Sequence, residues 1–223
     1  MTQNNPSILF LGKKHDECTG KALEFCRQHS AAVSSFLSDW GEPLPEEVAS
    51  WEGDYIISYL SRWILPERVL LNAKIGAINF HPGPPEYPGI GCTNFALYDG
   101  SPTYGATCHY MLPRVDTGEI IAVRRFPLFP TDTVASLLNR TYEQQLDLFI
   151  EIMGLIFSEK KVQVSGEKWR RKAFTREEFN ALCRINCDMT KEEITRRIRA
   201  TAFGSWKPTI ELHGFIFELK DLT

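Results

Sequence analysis

Residues 75–100 read IGAINFHPGPPEYPGIGCTNFALYDG. A short apolar run ends in Asn79, Phe80 and His81, and the chain then enters a loop with four prolines and three glycines within ten residues. An apolar run of this length, bounded by proline and glycine, predicts a buried strand over 77–80. Residues two apart on a strand point the same way, so Asn79 and His81 leave its end on one side. The prolines fix φ along the loop and leave it few free dihedrals, which suits a rigid site.

Working upstream, residues 7–12 (SILFLG), 31–37 and 55–59 (YIISY) predict three more short apolar strands. Between them, 19–29 predicts an amphipathic helix capped by Thr19, and 43–51 carries the proline and glutamates of a helix start. Short apolar strands alternating with helices predict an α/β fold with a mostly parallel, helix-covered sheet. In such sheets ligands gather at the carboxyl ends of the strands, where Asn79 and His81 lie.

Downstream, 104–111 and 119–127 are extended. A long helix fits 134–157, with Leu137, Leu138, Leu146, Phe149, Ile150 and Met153 as its apolar positions. Past residue 160 the composition changes to a basic stretch, short helices over 176–183 and 191–202, and a hairpin of 209–212 with 215–219 about His213-Gly214. The expected organisation is a main domain over 1–160 and a small helix and β-hairpin appendage over 161–223.

The chain has 223 residues, 43% hydrophobic and 24% charged, with a net charge of −3. This is ordinary globular composition, with no global attraction to phosphate backbones, so a nucleic-acid partner is not expected. No segment reaches the roughly 20 apolar residues of a membrane span. The first residues, MTQNNPSILFLGKKHDE, have neither the basic start nor the long apolar core of a signal peptide. Six cysteines without a paired framework read as reduced thiols, so the expected setting is cytoplasmic. Cys183 and Cys187 have no second ligand pair with zinc spacing nearby, and no metal is expected.

A second loop, LPRVDTGEII over 112–121, supplies Asp116 beside Gly118. Asn79, His81 and Asp116 are the parts of an acyl transfer to an amine. The Asn79 amide can donate to the oxygen that turns negative in the tetrahedral intermediate. His81 can do the same, or take a proton from the attacking amine, while Asp116 orients and charge-stabilises it or relays the proton. The nucleophile comes with the substrate. These three residues would also serve a purely structural role, satisfying loop backbone groups.

Other residues compete for attention. Cys92 follows Gly91 at an expected helix start, where a thiol pKa can fall, so with His81 and Asp116 it offers a Cys92-dependent hydrolase or amidotransferase as an alternative. No signature of such an enzyme surrounds it, and a packing role is expected. His109 shares a strand face with Thr107 and reads as a packing residue. His15 reads as a solvated loop histidine. Gly12 is not followed by G-x-G-x-x-G, and the basic Lys168–Lys172 stretch reads as a solvated connector.

The ordered set Asn79-x-His81-Pro82, Tyr87-Pro88-Gly89, Ala96-Leu97 before Gly100, Tyr104-Gly105-Ala106-Thr107-x-His109 and Val115-Asp116-Thr117-Gly118-x-Ile120-Ile121 resembles the folate-dependent formyltransferase family. That family includes methionyl-tRNA, glycinamide-ribonucleotide and nucleotide-sugar enzymes. The resemblance covers roughly residues 50–160. It implies a Rossmann-like formyltransferase domain, 10-formyltetrahydrofolate as donor, and catalytic roles for Asn79, His81 and Asp116. It also implies a folate slot built from Tyr59, Leu60, Trp63, Ile64, Leu65, Val115, Asp116 and Gly118. The loop after His81 departs from the Ser-Leu-Leu-Pro of many members, and the acceptor is expected to meet Pro84, Glu86, Tyr87, Gly89 and Asn94 there.

Three acceptors compete by this resemblance. Methionyl-tRNA calls for a larger β-domain than the last 60 or so residues provide, since strands average about 5–6 residues and each needs a turn. Enzymes for glycinamide ribonucleotide usually stop near the last helix of the domain. The tail MTKEEITRRIRATAFGSWKPTIELHGFIFEL resembles that of enzymes formylating amino sugars. A nucleotide-linked amino-dideoxy sugar, of the kind used for lipopolysaccharide O-antigen, is therefore the expected acceptor, with a homodimer built on the terminal hairpin. A binding module for folate or a sugar nucleotide, without catalysis, is the alternative of another class.

Overall fold

The computed structural model describes residues 5–158, 160, 162–204 and 206–220. Strands β1 (Ile8–Lys13), β2 (Val33–Ser38), β3 (Gly53–Tyr59) and β4 (Ala73–His81) lie parallel in the order β2-β1-β3-β4. Two antiparallel strands, β5 (Thr103–Tyr110) and β6 (Ile120–Pro127), continue from the β4 edge and complete a six-stranded sheet. The mixed, mostly parallel α/β architecture agrees with the alternation of apolar runs and helices in the sequence.

Helices α1 (Glu17–His29), α2 (Glu46–Ser50) and α3 (Glu67–Leu70) connect the parallel strands, α4 (Cys92–Asp99) follows β4, and α5 (Val134–Phe157) follows β6. Both sheet faces are covered, which explains why β1 reads as one unbroken apolar run. Ile8 and Phe10 enter one core, Leu9 and Leu11 the other, and all four are fully buried. On the first face α5 lays Phe149 against Phe10, Tyr59 and Phe80. Truncating that ring to alanine is expected to cost about 3–5 kcal/mol. Gln145 of α5 donates to the Phe80 carbonyl at 2.6 Å, holding the end of β4 from behind.

Some local expectations need correction. Asp16, not Thr19, caps α1: its carboxylate accepts from the Thr19 N–H at 2.8 Å and hydroxyl at 3.0 Å. A carboxylate at the helix start also meets the positive dipole end, which a hydroxyl does not. Strand β4 begins at Ala73 rather than 77, because Ala73 and Gly76 pair with β3 although their stretch is not strongly apolar. The single turn α3, started by Pro66, had no periodicity to announce it.

Helices α6 (Arg176–Cys183) and α7 (Lys191–Thr201) follow, with strands β7 (Arg184–Ile185), β8 (Thr209–Leu212) and β9 (Phe215–Glu218) forming a second sheet in the order β7-β8-β9. The β8–β9 hairpin was expected; the two-residue β7 is too short to leave a pattern. A third core joins this part to the main sheet, packing Phe174, Phe179, Leu182 and Ala200 against Tyr87, Phe95 and Leu97. No described helix is long and apolar enough to cross a membrane.

Candidate active site

The carboxyl end of β4 meets the antiparallel β5 in a register that sets Asn79 opposite His109 and His81 opposite Thr107. Four polar side chains are thereby placed at one corner of the sheet. Asn79 Nδ2 lies 3.1 Å from His109 Nε2, and the Thr107 hydroxyl donates to the Gly83 carbonyl at 2.7 Å, fastening the loop. His109 Nδ1–H donates to the Tyr110 carbonyl at 2.7 Å, and its Nε2 faces both the Asn79 amide and the Asp116 carboxylate. His81 Nε2 donates to the Tyr87 carbonyl at 3.1 Å.

Asp116 arrives on the loop after β5. Its backbone is left-handed, with φ of 48°, a conformation that costs a non-glycine residue about 1–3 kcal/mol and persists only where its surroundings enforce it. Two residues on, a side chain at Gly118 would put its Cβ 1.8 Å from the Tyr110 carbonyl oxygen. The loop is thus pressed against the strand and aims the carboxylate at both imidazoles. Oδ2 stands 3.4 Å from His81 Nδ1 and Oδ1 stands 3.4 Å from His109 Nε2. The Gly89 N–H donates to Oδ2 at 2.7 Å, tying the proline-rich loop to the same group.

Burial alone would push the Asp116 carboxyl up. The charge of His81, the hydrogen bond and charge of His109 and the Gly89 N–H outweigh it and bring the pKa down to about 2. At neutral pH the site therefore holds a fixed anion between two imidazoles. Asn79 presents an amide whose orientation is set by His109.

These groups form the polar end of a cleft of about 360 Å³. Of the residues anticipated from sequence, Leu60, Trp63, Ile64, Leu65, Asn79, His81, Gly89, Val115 and Asp116 line it. Tyr59 lies in the core, stacked on Phe10 and tilted against Phe80. Gly118, Pro84, Glu86 and Tyr87 stand behind the wall. Glu86 pairs with Arg125, and the Tyr87 carbonyl serves His81. Asn94 points to the other side and donates to the Ala200 carbonyl of α7 at 2.6 Å.

The model of the family described as formyl transferase matches residues 15–153, which carry β4, β5 and the Asp116 loop. The chain belongs to the formyl transferase family. Among relatives, the methionyl-tRNA formyltransferase of Listeria innocua is 31% identical over 109 residues, covering 48% of this chain and 35% of that protein. The chain thus spans about a third of the length of the curated relatives it matches. A sugar N-formyltransferase from a Shewanella species superposes with a TM-score of 0.74 at 18% identity, over 97% of this chain and 99% of that one. An N-formyltransferase from Helicobacter canadensis, solved with folinic acid and dTDP-3-aminofucose, superposes with a TM-score of 0.71 at 18% identity, over 93% and 84%.

Two residues to which the sequence assigns packing or solvated roles lie at this site. His109 carries the Asn79 amide rather than packing passively. Its signal was the spacing of Thr107 and His109, which repeats that of Asn79 and His81 on the neighbouring strand. Trp169, inside the stretch read as a solvated connector, turns inward. Its ring meets His109 edge-on at 5.0 Å and His81 at 5.9 Å, and its Nε1–H donates to the Gly118 carbonyl at 2.9 Å. Cys92 does not line the cleft: it is buried, its thiol donates to the Pro82 carbonyl at 3.4 Å, and burial pushes its pKa up. That outweighs the helix-start effect and leaves the thiol as a packing group. No group of three or more potential metal ligands occurs among the described residues.

Proposed function

We propose that this chain transfers a formyl group from 10-formyltetrahydrofolate to the primary amine of a nucleotide-linked amino-dideoxy sugar. The carrying observation is the convergence of Asn79, His81, His109 and Asp116 at one polar end of a mostly apolar cleft. The residues present fit such a donor. A flat ring system suits the apolar walls of Leu60, Trp63, Ile64 and Leu65 on one side and Met111, Leu112 and Val115 on the other. When bound, the donor supplies a formyl carbon already activated by its bond to N10.

The Asn79 amide, held by His109, is placed to donate to the formyl oxygen as it gains charge. His81, with Asp116 Oδ2 3.4 Å from its Nδ1, is placed to accept the proton that the amine sheds. The new bond joins the formyl carbon to the amine nitrogen, the bond to N10 breaks, and the shed proton ends on N10. No cysteine or lysine lines the cleft, which supports direct attack by the substrate amine.

The likeness to a sugar N-formyltransferase runs through the terminal strands, whereas the likeness to the tRNA enzyme covers 109 residues. This supports a sugar acceptor over methionyl-tRNA or glycinamide ribonucleotide. On this reading residues 1–160 carry the transfer chemistry and 161–223 the appendage, whose first stretch brings Trp169 to the site. Exposed Phe215, Ile216 and Phe217 on the edge strand β9 support a homodimer through the hairpin. The work would be done in the cytoplasm, where free thiols stay reduced, in building surface polysaccharide.

The test incubates the chain with 10-formyltetrahydrofolate and a panel of amino sugar nucleotides, with methionyl-tRNA and glycinamide ribonucleotide alongside. A sugar nucleotide heavier by one formyl group is expected. Formylation of only the tRNA or the ribonucleotide would overturn the acceptor, and folate binding without transfer to any amine would leave a binding module.

A further inference from the structure

The mouth of the cleft carries charge that the molecule leaves uncompensated. Besides the buried Asp116, the carboxylate or cationic side chains lining it are Arg62 and Arg114. Several other arginines are matched to acids: Arg124 to Glu151, Arg125 to Glu167, Arg140 to Asp132 and Arg197 to Glu193. Among the described residues Arg62 has no such partner. Its guanidinium lies 4.3 Å from the ring centre of Trp40, an indole 67% exposed at the same mouth. Arg176, at the start of α6, reaches the same ring at 5.9 Å and that of Trp206 at 5.3 Å, again without an acid.

The loop bearing Trp40 is anchored. Trp63 Nε1–H donates to the Glu42 carbonyl at 2.9 Å, and the Glu42 carboxylate is engaged by Lys14. The Glu42 carboxylate on that loop is therefore engaged away from Arg62. A guanidinium lying on an indole keeps its edge N–H groups free, and these form bidentate bonds to carboxylates.

Resting on the function proposed above, we infer that Arg62, Arg114 and Arg176, with Trp40, form a subsite for the carboxylates of the donor's glutamate tail. With N10 beside Asn79 and the pterin between the apolar walls, the p-aminobenzoyl-glutamate on the other side of N10 leaves by this mouth. One glutamate carries two carboxylates, and each further residue of a polyglutamate chain adds one. The subsite thus selects the polyglutamylated donor over the monoglutamate.

Isothermal titration of the full chain with mono- and triglutamyl 5-formyltetrahydrofolate reads this without turnover. The triglutamate is expected to bind about tenfold more tightly, a preference of about 1.4 kcal/mol, shrinking as salt screens the mouth. In Arg62→Gln/Arg176→Gln, checked for folding by circular dichroism, the preference should vanish, and Arg62→Lys/Arg176→Lys should retain part of it. Equal affinities in the wild type, a preference surviving in the glutamine variant, or weakened binding of the sugar nucleotide alone would overturn the subsite while leaving formyl transfer standing. No folate binding by the wild type would instead remove the reading beneath it.

Discussion

Asn79 and His109 face each other across the β4–β5 ladder and share one hydrogen bond of 3.1 Å, so the amide at the strand end is oriented by the strand beside it. If the amide stabilises the developing oxyanion, the two residues act as one device. Asn79→Ala is expected to lower kcat about 10²–10³-fold. His109→Phe, which keeps a ring but gives up the nitrogen facing the amide, should lower kcat by about tenfold or more through a misaligned amide. The double variant should be little worse than Asn79→Ala. Multiplying effects in steady-state kinetics would show that His109 acts independently.

Asp116 links catalysis to stability. Its folded pKa, about 2, lies below the ordinary carboxylate value, so the unfolded chain takes up this proton at higher pH. The stabilisation is complete above about pH 4, is lost as pH falls through about 2, and is worth on the order of 2 kcal/mol. Asp116→Asn should therefore flatten the fall in stability between pH 4 and 2, read from urea melts across that window. At neutral pH the same variant should cut kcat by at least about 100-fold while retaining folate binding.

Cys92→Ala separates packing from thiol chemistry. The buried thiol donates to the Pro82 carbonyl and packs within the third core, outside the cleft, so full formyl transfer is expected, with a loss of stability of about 1 kcal/mol. An inactive but folded variant would revive a thiol mechanism.

Gly118→Ala tests the loop that carries Asp116. The added methyl would overlap the Tyr110 carbonyl, a backbone atom that cannot rotate away. Activity should fall at least as far as in Asp116→Asn, and Tm should drop by several degrees. Trp169→Phe, which removes the N–H bonded to Gly118 and reduces the ring that meets His109, should lose far less activity.

The strands, the long helix α5 and the terminal hairpin were legible because each has a periodicity or turn signal of its own. Asn79 and His81 were legible because they end an apolar strand beside proline and glycine, and Asp116 because its loop carries a spaced motif that resembles the family's. What stayed hidden depended on register and long-range docking. His109 looks like a core histidine until β5 is paired antiparallel to β4, and that pairing has no local signature. Trp169 sits among lysines and arginines that do face solvent, so composition averaged over the stretch concealed the one ring turned inward. Asn94 was assigned to the acceptor side from its place after the loop. The helix turns it toward α7, and short-range spacing does not report the rotation of a helix about its axis.

Phe95 and Phe174 stack face to face, their ring centres 3.6 Å apart, and the Phe174 N–H bonds to the Pro88 carbonyl within the proline-rich loop. During synthesis the six-stranded sheet is finished well before Phe174 emerges from the ribosome. Until it docks, the apolar side of α4 is bare and the loop that steers His81 lacks its outer brace. A nascent chain with a complete sheet therefore still has an unfinished catalytic corner, and the apolar surface it then exposes is the kind that favours aggregation.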